Sequence, residues 1–563
     1  MKVLIVGGVA GGASAAARLR RLDEKAEIII FERSGYVSYA NCGLPYYIGG
    51  VIKDRGDLTL QTPQSFKERF NIDVRVKQEV IFIDRVKKSV RVRELVSGNE
   101  YEESYDKLIL SPGAHPVIPA LPGADSKKIH TLRTVEDTLR IREEAVRKGV
   151  KSAIVIGGGF IGVEAAENLT EAGLKVSLIQ RGDHILPPID GDMASFLHAH
   201  IRGKGVSLLL GADVEGFCEE GAGIRVLIKG RQPIFADLVI LAIGVLPETS
   251  LAKSAGLELG VKGSIVVNER MQTSDPDIYA VGDAVAITNI ATGKKSVIAL
   301  AGPANKQGRI AADNIAGKDR TYVGSPASSV IKIFDMTAAF VGLNEGAAKA
   351  EGISYDKVIV SPASHASYYP GGRTMTIKAL FEKHTQRIIG AQIVGFDGVD
   401  KRLDVISVVM QAGMKITALA ELDLAYAPPY ASAKDPVNMI GFVAQNVTEG
   451  VLKQFFYEDI KNLPRDGSVI LLDTRTEEEY LHGHAEGFDT NIPVDELRDR
   501  LGELDSKKRV YVMCQTGLRS YIACRILAQN GFECYNFAGG YRFYSAVRRG
   551  EADERCSTDC GIK

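Results

Sequence analysis

Short apolar runs recur along this chain, and twice such a run leads into a glycine turn, a helical pattern and a second apolar run. Residues 2–6 (KVLIV) predict a buried strand, 7–12 (GGVAGG) a tight turn, 13–22 a helix and 27–32 (EIIIFE) a second strand. The same order returns at 152–156 (SAIVI), 157–162 (GGGFIG), 163–172 and 175–180 (KVSLIQ). Each series is the βαβ opening of a doubly wound parallel sheet, so the pattern predicts two such sheets. Segments 106–119 (DKLILSPGAHPVIP) and 237–249 (DLVILAIGVLPET) each read as a buried strand ending in a Pro/Gly turn, as crossings between two interleaved domains would. Residues 326–445 change to mixed strands and helices without a glycine fingerprint. After 446, the runs 468–473 (SVILLD), 509–514 (RVYVMC) and 517–529 predict a further α/β unit.

Length agrees with that division, since 563 residues at roughly 150 per domain give about four folding units. Glycine is in excess, 58 of 563, or about 10% against a usual ~7%, as two glycine turns and many tight corners require. The 69 basic and 70 acidic residues leave a net charge of −1, so no single-sign field draws the chain to nucleic acid or an anionic membrane. Seven cysteines (42, 218, 514, 524, 534, 556, 560) contain no CxxC or CxxH, which argues against a disulfide framework and against a metal site, and for the cytoplasm. Lys2 and the apolar run Val3 to Ala17 imitate a secretory signal, but the glycines of that run belong to the first turn. Uncharged stretches such as 152–163 fall short of the ~18 apolar residues a membrane span needs.

Gly157, Gly159 and Gly162 fit G-x-G-x-x-G between strand and helix, a turn that lets a pyrophosphate sit at the helix N-terminus. Where an acid would hold an NAD ribose, the chain has Gln180 followed by Arg181, which favours NADPH or tolerance of both nicotinamides; a surface arginine is the competing reading. The first fingerprint carries Val9 between Gly7 and Gly12, yet Glu32 follows Gly12 by twenty residues, at the strand end where a ribose-binding acid belongs. In TSDPDIYAVGDA (273–284), Asp283 closes a strand and suits a polyhydroxyl chain. Cys42, in SYANCGLPYY (38–47), has no local resolving partner, so any redox cycle must take its second sulfur or oxygen from outside the chain.

Taken as a set, the two fingerprints, SPG (111–113), LAIG (241–244) and AVGDA (280–284) resemble the two-dinucleotide-fold flavoprotein disulfide reductases over about 1–445. That resemblance implies two interleaved Rossmann-like domains: an FAD-binding domain at 1–112 and 235–325, and an NAD(P)H-binding domain at 113–234. An α+β dimerisation domain at 326–445 would follow. Gly7, Gly12, Glu32 and Asp283 would contact FAD. Gly157, Gly159, Gly162 and Glu164 would lie along NADH or NADPH. Ser111, Gly113, Arg181 and Gly244 are further cofactor-binding candidates.

Among single-cysteine members, SxxNC together with LAGPANKQGR (300–309), YYPGG (368–372) and YASAKDP (430–436) is similar to the coenzyme A disulfide and persulfide reductases. Carried over by position, Ser14, Arg18, Arg21, Ser38, Asn41, Asn305 and Lys434 would line a coenzyme A site. Arg18 and Arg21 lie three apart on one helix face, as two phosphate donors should. Tyr368 and Tyr426 would approach Cys42 from the other subunit of a homodimer.

The last unit, 446–563, contains LLDTRTEEEYLHGHAEGFDTNIPVDEL (471–497), VYVMCQTGLRS (510–520) and NFAGGYRFY (536–544), and it resembles a rhodanese α/β domain. Cys514 there opens a six-residue loop to Arg519 whose backbone N–H groups can cradle a thiolate or persulfide. Cys-to-Arg loops of cysteine phosphatases usually have one residue more. The implied activity is FAD-dependent NAD(P)H reduction of coenzyme A persulfide, polysulfide or disulfide, with Cys42, Cys514, Tyr368, Tyr426 and Arg519 as catalytic candidates and a sulfane-sulfur donor feeding Cys514. An NADH oxidase or peroxidase cycling Cys42 through sulfenic acid, and a redox-sensing or sulfur-delivery module, stand as alternatives.

Overall fold

A computed structural model describes residues 1–551, so Cys556 and Cys560 lie outside the described residues. The chain divides into two compact units, one of residues 1–183 and 209–327, the other of 184–208 and 328 onward.

In the first unit, the strands Lys2–Val6 and Glu27–Glu32 pair in parallel as the apolar runs predict, with Lys107–Leu110 on the other side of Lys2–Val6. Ile278–Ala280 and Asp73–Val76 complete this sheet at its edges. Its strands read as unbroken apolar runs because both faces are covered: Val3, Leu4, Ile5 and Ile30 are fully buried. The second sheet repeats the arrangement, with Ser152–Ile156 between Lys175–Ile179 and Leu238–Leu241, and Ile129–Thr131 beyond. The helices begin inside the glycine turns, at Ala10–Arg20 and Phe160–Glu171, a few residues earlier than the sequence pattern suggests. The two crossings meet, since Ala114–Pro116 pairs antiparallel with Val245–Pro247. Two antiparallel meanders stand outside the sequence reading, one over 78–104 and one over 214–236.

In the second unit, an antiparallel sheet runs in the order Ser329–Ile333, Met336–Gly342, Ile388–Gly395, Thr376–Glu382, Tyr355–Val360. A parallel sheet of the C-terminal region places Arg509–Met513 between Val469–Asp473 and Cys534–Phe537. The helix Gly191–Gly203, within the stretch assigned by sequence to the nicotinamide domain, belongs to this unit and packs against Gly540–Glu551 and Ile388–Gly395. Among the described residues no helix is long and apolar enough to cross a membrane.

Within the second unit, a buried ion cluster joins the helix Gly191–Gly203 to the antiparallel sheet. Lys378, with no exposed side-chain surface, meets Asp190 at 2.9 Å, Asp192 at 2.8 Å and also Glu345. Glu345 accepts from Lys357 at 2.8 Å and from the Tyr355 hydroxyl at 2.7 Å, and Lys357 reaches Glu458 at 2.6 Å. Removing one partner of such a cluster leaves uncompensated charge, so Lys378→Ala is expected to destabilise the second unit by roughly 3–5 kcal/mol in urea unfolding. Burial alone would raise the Glu345 carboxyl, but the two lysines hold it at about 2, below its ordinary 4.5. A depressed carboxyl contributes fully above its unfolded value and loses that contribution as pH falls toward the folded one. Urea midpoints should therefore fall between pH 4.5 and 2, and Glu345→Gln should flatten that slope.

Candidate active sites

The two glycine turns are built alike. A Cβ on Gly7 (φ +94°) would strike the Ser111 carbonyl, and one on Gly12 would strike the Gly7 carbonyl. At the second turn, Gly157 (φ +110°) meets the Ala242 carbonyl and Gly162 the Gly157 carbonyl in the same way. Only glycine lets each helix N-terminus press this closely on its strand, and the backbone at such a helix N-terminus suits a pyrophosphate. Glu32, buried at the end of its strand, accepts from Gly8 N–H at 3.0 Å and from Ser34 N–H at 2.9 Å. Burial pushes its carboxyl up against those two bonds. Gln180 takes the twin position, accepting from Gly158 N–H at 2.9 Å, with Arg181 exposed beside it. The residues of the first turn thus fit an FAD dinucleotide and those of the second a nicotinamide dinucleotide.

Cys42 lies in the single turn Asn41–Gly43, just before the helix Leu44–Gly49, and is free and exposed. That helix packs on Phe160–Glu171, the helix of the second turn, and the Tyr46 hydroxyl donates to Glu164 at 3.4 Å. Desolvation lifts the Glu164 carboxyl to about 7. Partial desolvation, then the charges of Glu164 and Asp283, push the Cys42 thiol up, while Arg133 acts in the opposite direction.

Arg133 is a residue the sequence reading missed. Its guanidinium pairs with Asp283 at 2.8 Å and donates to the Ala114 carbonyl at 3.1 Å. Asn41, its amide oriented to satisfy both partners, donates to the Arg133 carbonyl at 3.1 Å and accepts from Nη1 at 3.3 Å. Arg133 immediately precedes Thr134, which caps the helix Val135–Val146 reciprocally with Asp137. The only advance signal was a cation beside a capping pattern.

Five of the residues expected at a coenzyme A site, Ser14, Arg18, Arg21, Ser38 and Asn305, line one cavity of about 320 Å³ in the first unit. Ala13, Ala17, Gln61, Phe66, Phe70 and Arg309 complete it, none of them singled out from sequence. Ser14 donates to Asn305 at 2.7 Å. The charge of Arg18 is met by Asp313 at 2.7 Å, whereas Arg21 and Arg309 are exposed. Lys434, Tyr368 and Tyr426 belong to the second unit. There the two tyrosine hydroxyls lie 2.6 Å apart and exposed, with Tyr426 and His365 on a cavity of about 540 Å³.

In the C-terminal region, Cys514 follows the strand Arg509–Met513 and is buried, with Gly517 (φ +99°) turning the loop into the helix Leu518–Gln529. Its sulfur accepts from Gly517 N–H and from the Ser520 hydroxyl, each at 3.2 Å. Arg519 points to Glu479 at 2.7 Å. Cys524 and Cys534 are buried side by side, with the Cys534 thiol donating to the Cys524 carbonyl at 3.2 Å, while Cys218 is exposed on a strand.

Residues 1–308 match the pyridine nucleotide-disulphide oxidoreductase family, residues 328–436 its dimerisation domain, and residues 457–546 the rhodanese-like domain. The coenzyme A disulfide reductase of Staphylococcus haemolyticus is 36% identical over 450 residues, 79% of this chain and 100% of that protein. The reduced CoADR-RHD of Bacillus anthracis superposes with a TM-score of 0.94 at 47% identity, covering 97% of this chain and 98% of the other. A NAD-dependent persulfide reductase from A. fulgidus gives 0.92 at 39% identity, covering 97% and 100%. Twin glycine turns, a thiol at the start of a helix that packs on the helix of the second turn, and these matches lead to one conclusion: the chain belongs to the pyridine nucleotide-disulphide oxidoreductase family and carries a rhodanese-like domain at its C-terminal end.

Proposed function

We propose that this protein is an FAD-dependent NAD(P)H reductase of coenzyme A persulfide, polysulfide or coenzyme A disulfide, acting as a homodimer, with its rhodanese-like domain handling sulfane sulfur. One observation carries the reading: a solitary exposed thiol, Cys42, stands beside the helix of the second glycine turn, in the same unit as a basic cavity lined by Ser14, Arg21, Ser38 and Asn305. An oxidase or peroxidase working through a Cys42 sulfenic acid would have no use for such a cavity. The activities named for the relatives point the same way.

FAD, held by Gly7, Gly12, Glu32, Ser111, Gly113 and Asp283, would supply two-electron transfer between nicotinamide and sulfur. Gly157, Gly159, Gly162, Glu164, Arg181 and Gly244 are assigned to the nicotinamide cofactor. The Cys42 thiolate attacks the outer sulfur of coenzyme A persulfide, the bond to the coenzyme A sulfur breaks, and that thiol leaves. Net turnover converts persulfide, NAD(P)H and a proton into coenzyme A, hydrogen sulfide and NAD(P)⁺. Glu164, poised at about 7, can exchange a proton with solvent beside Tyr46 at neutral pH. Tyr368 and Tyr426 of the other subunit would hydrogen-bond the leaving sulfur. Because Asp313 already answers Arg18, the coenzyme A phosphates fall to Arg21 and Arg309, with Asn41, the neighbour of Cys42, nearer the thiol end.

Two experiments test these roles. Cys42→Ser should keep bound flavin that NAD(P)H still reduces in anaerobic stopped flow, while steady-state NAD(P)H oxidation with coenzyme A persulfide or disulfide drops at least ~100-fold. Full turnover in that variant removes Cys42 from the mechanism. Replacing Arg21 and Arg309 together by Ala should raise KM for coenzyme A persulfide about tenfold or more and leave KM for inorganic polysulfide nearly unchanged, since only the first substrate carries phosphates. An equal rise for both substrates would make those arginines structural.

A further inference from the structure

The loop around Cys514 is electrically quieter than its sequence suggests. Arg519, its last residue, is held by Glu479 in a two-pronged ion pair, Nη1 to Oε2 and Nη2 to Oε1, both at 2.7 Å. Glu479 is itself fixed, as the third residue of the helix Glu477–Leu481. The Thr476 N–H and hydroxyl donate to its Oε2 at 3.0 and 3.2 Å, and its own N–H donates to the Thr476 hydroxyl at 3.2 Å. The pairing with Arg519 holds the Glu479 carboxyl down at about 2, so it is ionised throughout the neutral range. Arg475, which donates to Gln515 of the same loop at 3.4 Å, is answered by buried Asp473 at 2.7 Å and lies over the Tyr541 ring. What addresses the Cys514 sulfur is therefore a pair of neutral donors, Gly517 N–H and the Ser520 hydroxyl. The same short helix adds two further exposed carboxylates, Glu477 and Glu478.

We infer that Glu479 sets the donor class of this loop: by cancelling Arg519 it makes Cys514 take sulfane sulfur from thiol persulfides in preference to thiosulfate. The inference rests on the sulfurtransferase reading of the rhodanese-like domain. Thiosulfate arrives as a dianion and expels sulfite, also a dianion, so its reaction with a thiolate gathers three negative charges and requires an unpaired cation. A thiol persulfide brings one negative charge or none. The Cys514 thiolate attacks its outer sulfur, the S–S bond to the carrier breaks, and the carrier thiolate takes up the persulfide proton and leaves as a thiol. The product is a Cys514 persulfide monoanion, which two neutral donors suffice to hold.

The test is the rate at which Cys514 becomes persulfidated in the full-length flavoprotein without NAD(P)H, read by quenched-flow mass spectrometry with thiosulfate or glutathione persulfide as donor. Glu479→Gln keeps a side chain able to complete the helix cap while releasing Arg519. It is expected to raise the thiosulfate-to-persulfide rate ratio about five- to tenfold, the effect of one freed, partly exposed charge. The gain should shrink as KCl is added, and Glu479→Gln combined with Arg519→Gln should return the ratio to that of the unaltered protein. An unchanged ratio in a Glu479→Gln protein with normal thermal unfolding overturns the inference, as does a double variant that keeps the gain. Failure of both donors to load Cys514 in the unaltered protein overturns the sulfurtransferase reading, and the inference with it.

Discussion

The first unit depends on the guanidinium of Arg133. Its partners come from three distant segments: Asn41 beside the redox candidate, Ala114 in the first crossing, and Asp283 at the end of the AVGDA strand. Charge-assisted bonds of this kind contribute about 1.5–3 kcal/mol each where they are partly shielded from water, more than a turn as short as Asn41–Gly43 could supply for itself. The same cation also opposes the two carboxylates that make ionisation of Cys42 harder. One side chain thus fixes the position of the thiol and tempers its electrostatics.

Around that point the two dinucleotide folds are joined rather than merely consecutive. The crossings pair through Ala114–Pro116 and Val245–Pro247, and the helix carrying Tyr46 lies on the helix that begins in the second glycine turn. The turns share a backbone geometry but differ in one atom type with large consequences: Glu32 and Gln180 accept equivalent glycine N–H groups, one with a carboxylate and the other with a neutral amide. Strand, turn and acceptor are kept while the charge at the strand end changes. That is how one fold, used twice in a chain, can be directed at two different dinucleotides.

What the sequence made legible follows from range. The glycine turns, their strands, the strand before Cys514 and its Cys-to-Arg spacing are local patterns, and each appears within a few residues of its expected place. The long-range pairings are not local patterns. Arg18 reads as a phosphate donor until Asp313, far along the chain, is seen against it. Phe66, Phe70 and Arg309 enter the cavity only because separate elements converge there. Arg519 reads as a cation beside a thiol until Glu479 closes on it. The helix Gly191–Gly203 reads as part of the nicotinamide domain because chain order says so, yet its packing and the Lys378 cluster place it in the second unit.

Both sulfur centres show the same electrostatic restraint, and it suits their proposed chemistry. A thiolate surrounded by free cations is stabilised, but it also becomes a weaker nucleophile, and it attracts every small anion. Here a cation associated with each centre is engaged: Arg133, which acts on Cys42, by Asp283, and Arg519, of the Cys514 loop, by Glu479. At Cys514, stabilisation of charge on sulfur is left to two neutral donors already in place, Gly517 N–H and the Ser520 hydroxyl, each at 3.2 Å. A neutral donor of the same kind stands in the second unit, where the hydrogen bond shared with Tyr368 raises the Tyr426 phenol above its ordinary value. A persulfide enzyme needs that selectivity, because its substrate, its product and its own nucleophile are all sulfur anions differing by little more than one atom.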